Sequence, residues 1–187
     1  MSKAVLFFAD GTEECEALLV ADLLRRARVE VIIASAMGRR ALVSSHGIHL
    51  NADALAEDVD YSDVDMVILP GGIPGTPNLA ENKTVTDTCV SFAKAGKKVA
   101  AICAAPTILA NLGFLDRRRA VCYPGMEELM GSAVVQKGAP VVADGHIITG
   151  EAAGSSFPFG LKLVEVLKGA EAARQVLSLI HISEPTR

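Results

Sequence analysis

The chain of 187 residues has no tryptophan, two tyrosines and six phenylalanines. A core built on aromatic rings is therefore excluded. Half of the residues are hydrophobic, so the interior falls to Val, Ile, Leu and Ala, the usual filling of a parallel sheet covered by helices. Strong charge of either sign is also missing. The net charge of −4 argues against a nucleic-acid partner, and the one basic cluster, Arg117-Arg118-Arg119, reads as a solvated loop. No apolar run approaches the roughly 18 residues of a membrane span. Met1-Ser2-Lys3 passes directly into a strand, so no secretory leader is expected. The four cysteines, Cys15, Cys89, Cys103 and Cys122, show no close-paired spacing. Neither a disulfide framework nor a zinc site is expected, and the setting reads as reduced and cytoplasmic. With no metal-ligand or nucleotide motif either, the expectation is a protein without metal or cofactor.

The length suits one well-buried domain, placed at residues 1–176. The last eleven residues, 177–187, look like the translation of a transposase adapter used in sequencing libraries. They are set apart as a non-native tail.

Strands and helices alternate along the rest. Lys3 to Ala9 reads as a first strand, followed by a helix from about Glu13 to Ala27 with Leu18, Leu19, Leu23 and Leu24 at helical spacing. Arg28 stands where a glycine normally closes a helix. Val29 to Ala36 is a second strand, and Arg40 to Asn51 a short hairpin. Val64 to Leu69 is a third strand, ending in the Pro70-Gly71-Gly72 turn, and Thr84 to Ala95 is a helix closed by Gly96. Ala120 to Tyr123 reads as a short strand. A hairpin is expected across Lys137-Gly138 and another across Asp144-Gly145. Ser155 to Leu167 reads as a final helix. This alternation predicts a doubly wound α/β sheet with right-handed crossovers, whose ligands bind at the carboxyl ends of the strands.

The chemistry concentrates at Val99-Ala100-Ala101-Ile102-Cys103-Ala104-Ala105-Pro106. The left half is a buried strand. The proline suits the first turn of a helix, where N–H groups have no intrahelical partner. Cys103 thus sits at a strand-to-helix turn that lifts one side chain out of the sheet, a nucleophile elbow. Free N–H groups behind it favour a thiolate, so a depressed thiol pKa is expected. A cysteine after an apolar strand is, by itself, most often a small buried residue. Cys89 and Cys122 read as structural, Cys15 as packing, and Glu13 and Glu14 as a solvated helix start.

Three motifs in order change that balance: Asp10-Gly11-Thr12-Glu13-Glu14-Cys15-Glu16, Leu69-Pro70-Gly71-Gly72 and Ala100 to Thr107. Together they resemble the DJ-1/ThiJ/PfpI superfamily, closest to its DJ-1 branch, over about residues 3 to 176. The resemblance implies a flavodoxin-like sandwich with a mostly parallel central sheet, usually a homodimer. It places the reactive cysteine at Cys103, a carboxyl hydrogen-bonded to its sulfur at Glu16, and a backbone N–H pair for an oxyanion at Gly72 and Ala104. His46 lies where some members carry a basic residue near site and dimer surface, so it is a candidate substrate or dimer contact. PfpI-type proteases have a histidine directly after the cysteine, where this chain has Ala104. Amidotransferases have a downstream His-x-Glu that is absent. Part of the DJ-1 branch brings a histidine from the next strand, where Tyr123 stands as a second candidate substrate or dimer contact. Glu151-Ala152-Ala153-Gly154 replaces an Arg-Gly-Pro-Gly run. Protease and amidotransferase chemistry are disfavoured. The implied function is glyoxalase or deglycase action on small aldehydes such as methylglyoxal, in carbonyl and oxidative stress protection. Redox sensing or chaperoning through oxidation of Cys103 is the alternative, and a decayed, binding-only member a third.

Overall fold

The computed structural model describes residues 2–181. In chain order it contains β1 (Lys3–Phe8), one π-type turn (Cys15–Leu19) leading into α1 (Val20–Arg26), β2 (Glu30–Ser35), β3 (Ala41–Val43), β4 (His49–Asn51), β5 (Ala54–Leu55), β6 (Met66–Leu69), α2 (Gly75–Glu81), α3 (Lys83–Lys94), β7 (Lys98–Ile102), α4 (Pro106–Asn111), β8 (Arg119–Ala120), β9 (Val134–Val135), β10 (Val141–Asp144), β11 (Ile147–Gly150), α5 (Ser156–Lys168) and α6 (Ala170–Leu179). The main sheet runs β10-β11-β7-β6-β1-β2-β5. Its ladders are parallel except for the β10–β11 pair. This is the doubly wound α/β layout that the alternating pattern predicts, and the flavodoxin-like one that the resemblance implies.

The central strands read as continuous apolar runs because both faces are covered. Val5 and Phe7 of β1 join α3 and α4 residues such as Val85, Cys89, Phe92, Ile108 and Leu109 on one face. Ala4, Leu6 and Phe8 meet Val20, Leu23, Leu24, Phe159 and Leu163 of α1 and α5 on the other. Successive residues of a strand point to opposite faces, so each apolar run feeds two cores at once. β1 and β6 pair in register, Val5 with Val67 and Leu6 with Ile68, and β6 and β7 likewise, Ile68 with Ala100. Their carboxyl ends therefore finish side by side, which brings the Gly71 turn to Cys103.

Several expectations need correction. No hairpin forms across Lys137-Gly138. Val134–Val135 pairs in parallel with Arg119–Ala120, while Val141–Asp144 pairs antiparallel with Ile147–Gly150 across Asp144-Gly145. The Asp144 carboxylate accepts from the Arg119 N–H at 2.9 Å and meets the Arg118 guanidinium, which ties the end of β10 to the start of β8. The short strand stops at Ala120, leaving Cys122 and Tyr123 outside it. The Val121 N–H donates to the Thr149 hydroxyl and the Tyr123 N–H to the Cys103 carbonyl, so neither joins a strand ladder there. The first helix begins with a π turn, and α6 follows the helix that reads as final. Arg28 adopts φ 58°, the left-handed conformation in which glycine is free of strain. Of the tail, Leu177 to Leu179 complete α6, and residues 182–187 lie outside the described residues.

Candidate active site

Cys103 follows the last residue of β7 with φ 65°. Its N–H donates to the Gly150 carbonyl at 3.0 Å, and its carbonyl accepts from Tyr123 at 2.8 Å. The two bonds clamp the backbone in the left-handed elbow and leave the side chain half-buried above the sheet edge. Non-glycine residues held in that region store strain, which concentrates at functional sites.

Glu16 comes from the π turn, a local widening often found at such sites. It is completely buried. Oε2 accepts from the Gly71 N–H at 2.7 Å, while Oε1 is buried without a hydrogen-bond partner of its own. Burial pushes this carboxyl up to about 7, and the neighbouring Glu13 charge adds to the rise. Hydrogen bonds from Cys103 and Gly71 pull the other way. Gly71 has no substitute here. A Cβ on it would lie 2.8 Å from Cys103 Cβ, 2.8 Å from Glu16 Oε2 and 3.0 Å from the Ala104 nitrogen.

The expected depressed thiol pKa is not what the site favours. Burial raises the Cys103 thiol to about 12, with the charge and hydrogen bond of Glu16 adding to the shift. The N–H groups of Ala104 and Gly72 face the sulfur and lower it, but they are outweighed. Two acids that repel each other's charge in a dry pocket titrate as a pair. The carboxyl is the more easily ionised of the two, so at neutral pH the thiol keeps its proton.

The structure brings Cys103, Glu16, Gly72 and Ala104 together, joins Tyr123 to them through its backbone, and pairs His46 with Glu14 instead. His46 is an exposed residue of the β3–β4 turn, with Nδ1 at 2.7 Å from Glu14 Oε1. Tyr123 contributes its backbone to the elbow while its side chain is exposed. Glu14 corrects another expectation. Its side chain is only 12% exposed, and although burial works against ionisation, hydrogen bonds from its own backbone, Ser44, Ser45 and His46 hold it down to about 2. Cys15, expected to pack, is exposed. Glu13, Glu14 and His46 place their donor atoms within 4.8 Å of one another, the nearest approach to a cation-holding group among the described residues. Missed altogether was the role of Glu13, whose carboxylate caps the Glu16 N–H at 2.7 Å. The only sequence signal is the spacing of three residues between the two glutamates.

A left-handed cysteine at a strand-to-helix turn of a parallel sheet defines the class, a nucleophile-elbow protein of flavodoxin-like layout. The DJ-1/PfpI family profile matches residues 2–166, and the chain belongs to that family. It is 36% identical to Protein dj-1beta of Drosophila melanogaster over 178 residues, covering 94% of this chain and 95% of that protein. It is 29% identical to the glutathione-independent glyoxalase DJR-1.2 of Caenorhabditis elegans over 183 residues, covering 98% and 97%. Among solved structures, a mutant of a DJ-1 superfamily protein from Salmonella typhimurium superposes with a TM-score of 0.93 at 34% identity, covering 98% of this chain and all of that one.

Proposed function

We propose that the chain is a cofactor-independent cysteine enzyme that converts small α-oxoaldehydes, methylglyoxal or glyoxal, to 2-hydroxy acids. The observation that carries this reading is the half-buried Cys103 thiol beside a buried carboxyl that titrates to about 7. A general acid–base works best with its pKa near the working pH. Glu16 takes the thiol proton as the sulfur adds to the aldehyde carbon, and the proton passes to the carbonyl oxygen. The N–H groups of Gly72 and Ala104 are donors for that oxygen while it is negative. One such donor is worth about 2.7–4 kcal/mol elsewhere. Glu16 then removes the C–H proton of the hemithioacetal, and a proton is returned to the neighbouring carbon. A 2-hydroxyacyl thioester results, which water cleaves to the acid and the free thiol. The sum is methylglyoxal plus water to lactate.

The likeness to a relative named as a glutathione-independent glyoxalase supports the same substrate class. A second copy of the chain as partner and a cytoplasmic setting in carbonyl-stress protection belong to the proposal. Lactate formation from methylglyoxal tests it. Cys103→Ser is expected to abolish turnover, and undiminished turnover in that variant overturns the reading.

A further inference from the structure

Glu13 sits outside the thiol–carboxyl pair, yet two hydrogen bonds of its own, to Gly71 and Glu16, and a third between those two link it to that pair. Its own N–H donates to the Gly71 carbonyl at 3.0 Å. Its Oε2 accepts from the Glu16 N–H at 2.7 Å. Glu16 Oε2 in turn accepts from the Gly71 N–H at 2.7 Å. The three bonds close a ring, Gly71 to Glu13 to Glu16 and back to Gly71. One side of that ring is the glycine whose missing Cβ leaves room for Cys103.

We propose that Glu13 is the positioning residue of the site, holding the Glu16 carboxyl and the Gly71 turn in one register against the Cys103 sulfur. The inference rests on the functional reading above for its relevance to turnover, but not for its geometry. The Glu16 carboxyl takes its direction from the Gly71 N–H and the Cys103 thiol, with its other oxygen unpartnered, and Glu13 fixes both Gly71 and the backbone of Glu16. A carboxylate also does something a neutral cap does not. Its charge lies close enough to oppose ionisation of Glu16 and of the Cys15 thiol, to which it also hydrogen-bonds. The titratable groups facing Glu16 among the described residues are Cys103, Glu13 and, more weakly, Cys15. One side chain thus keeps the carboxyl aimed, keeps its proton available and holds the exposed Cys15 in its thiol form.

The test reads Cys103 itself and needs no aldehyde. Iodoacetamide alkylation is followed by peptide mass spectrometry, which separates Cys103 from Cys15, between pH 5 and pH 9. Glu13→Gln keeps an acceptor oxygen and loses the charge. Alkylation of Cys103 in this range rises with ionisation of Glu16, the base that takes the thiol proton, and in Glu13→Gln the midpoint of that rise is expected to fall by roughly half a unit to one unit, with a plateau rate within about twofold of the wild type. Glu13→Ala opens the ring. In the wild-type background Glu16→Gln is expected to slow alkylation at pH 7 at least about fivefold, and in the Glu13→Ala background less than about twofold, because coupled residues are not additive. An unchanged midpoint in Glu13→Gln, or equal effects of Glu16→Gln in both backgrounds, overturns the proposal and leaves Glu13 a helix cap. Should Glu13→Ala not fold, the Glu13→Gln midpoint alone decides. Lactate formation by the wild type is measured separately, so failure of the glyoxalase reading is distinguishable from failure of this one.

Discussion

Glu16 is a carboxyl placed where carboxyls are unstable. It is completely buried, and its folded-state pKa near 7 lies above the 4.5 of an ordinary glutamate. Between those two values the folded chain binds more protons than the unfolded one, so stability falls as pH rises through that window. The penalty is fully present above pH 7 and absent below about 4.5. Glu16→Gln removes the titration while keeping the shape. It is expected to stabilise the fold at pH 8 by on the order of 3 kcal/mol, with little gain at pH 4.5, read from thermal melts at both values. An equal difference at the two pH values would show that burial of the charge is not the cause. The same residue shows what a sequence conveys and what it hides. Cys103, Glu16, Gly72 and Ala104 stand in compact motifs, and the strand-to-helix turn around Cys103 follows from local rules. The sequence also shows free N–H groups behind the cysteine, but not how little water reaches it. The thiol pKa was therefore expected with the wrong sign of shift. The Glu14–His46 pair joins residues 32 apart across two turns, and no local pattern predicts it.

Elements carry a different kind of dependence. The Val121 N–H is buried and donates to the Thr149 hydroxyl at 2.9 Å. This one bond ties the segment after β8 to β11, and two residues on Tyr123 holds the Cys103 carbonyl. Thr149→Val keeps the volume and leaves a buried N–H without partner, which costs about 1–3 kcal/mol. Urea unfolding is expected to show that loss, with faster iodoacetamide labelling of Cys122 as the segment loosens. Unchanged stability would mean that water or another acceptor replaces the hydroxyl. The failed hairpin has the same origin. Lys137-Gly138 and Asp144-Gly145 both read as turns, and Val134-Val135 alternates no worse than Val141-Val142. What separates them is β8, where the Arg118 and Ala120 carbonyls accept from the Val134 and Gln136 N–H groups and take β9 away from β10. Helices α2 and α6 went unread for a related reason. α2 spans only seven residues after the glycine turn, and α6 follows directly on α5 with Val176 its one buried apolar residue. Central strands were legible because burial on both faces makes them continuous apolar runs.

At the scale of the whole molecule, the proposed reaction balances without an external oxidant. In methylglyoxal the aldehyde carbon rises to the acid level while the neighbouring ketone falls to an alcohol. A hydrogen moves within the substrate, and water supplies the remaining atoms. No electrons leave, so the chemistry asks for a nucleophile, a proton carrier and an oxyanion site. A parallel sheet delivers these from three loops at one edge: the π turn after β1, the glycine turn after β6 and the elbow after β7. A metal-dependent glyoxalase would instead polarise the carbonyl with a cation and lose activity with it. Dialysis against EDTA is therefore expected to leave lactate formation unchanged within about twofold, and sedimentation of the treated protein to show the two-chain particle proposed above. Loss of turnover on chelation, restored by a divalent cation, would move the chemistry away from Glu16 and toward a cation-assisted site. Turnover that survives chelation but is lost in Cys103→Ser leaves the thiol–carboxyl pair as the centre through which the reaction runs.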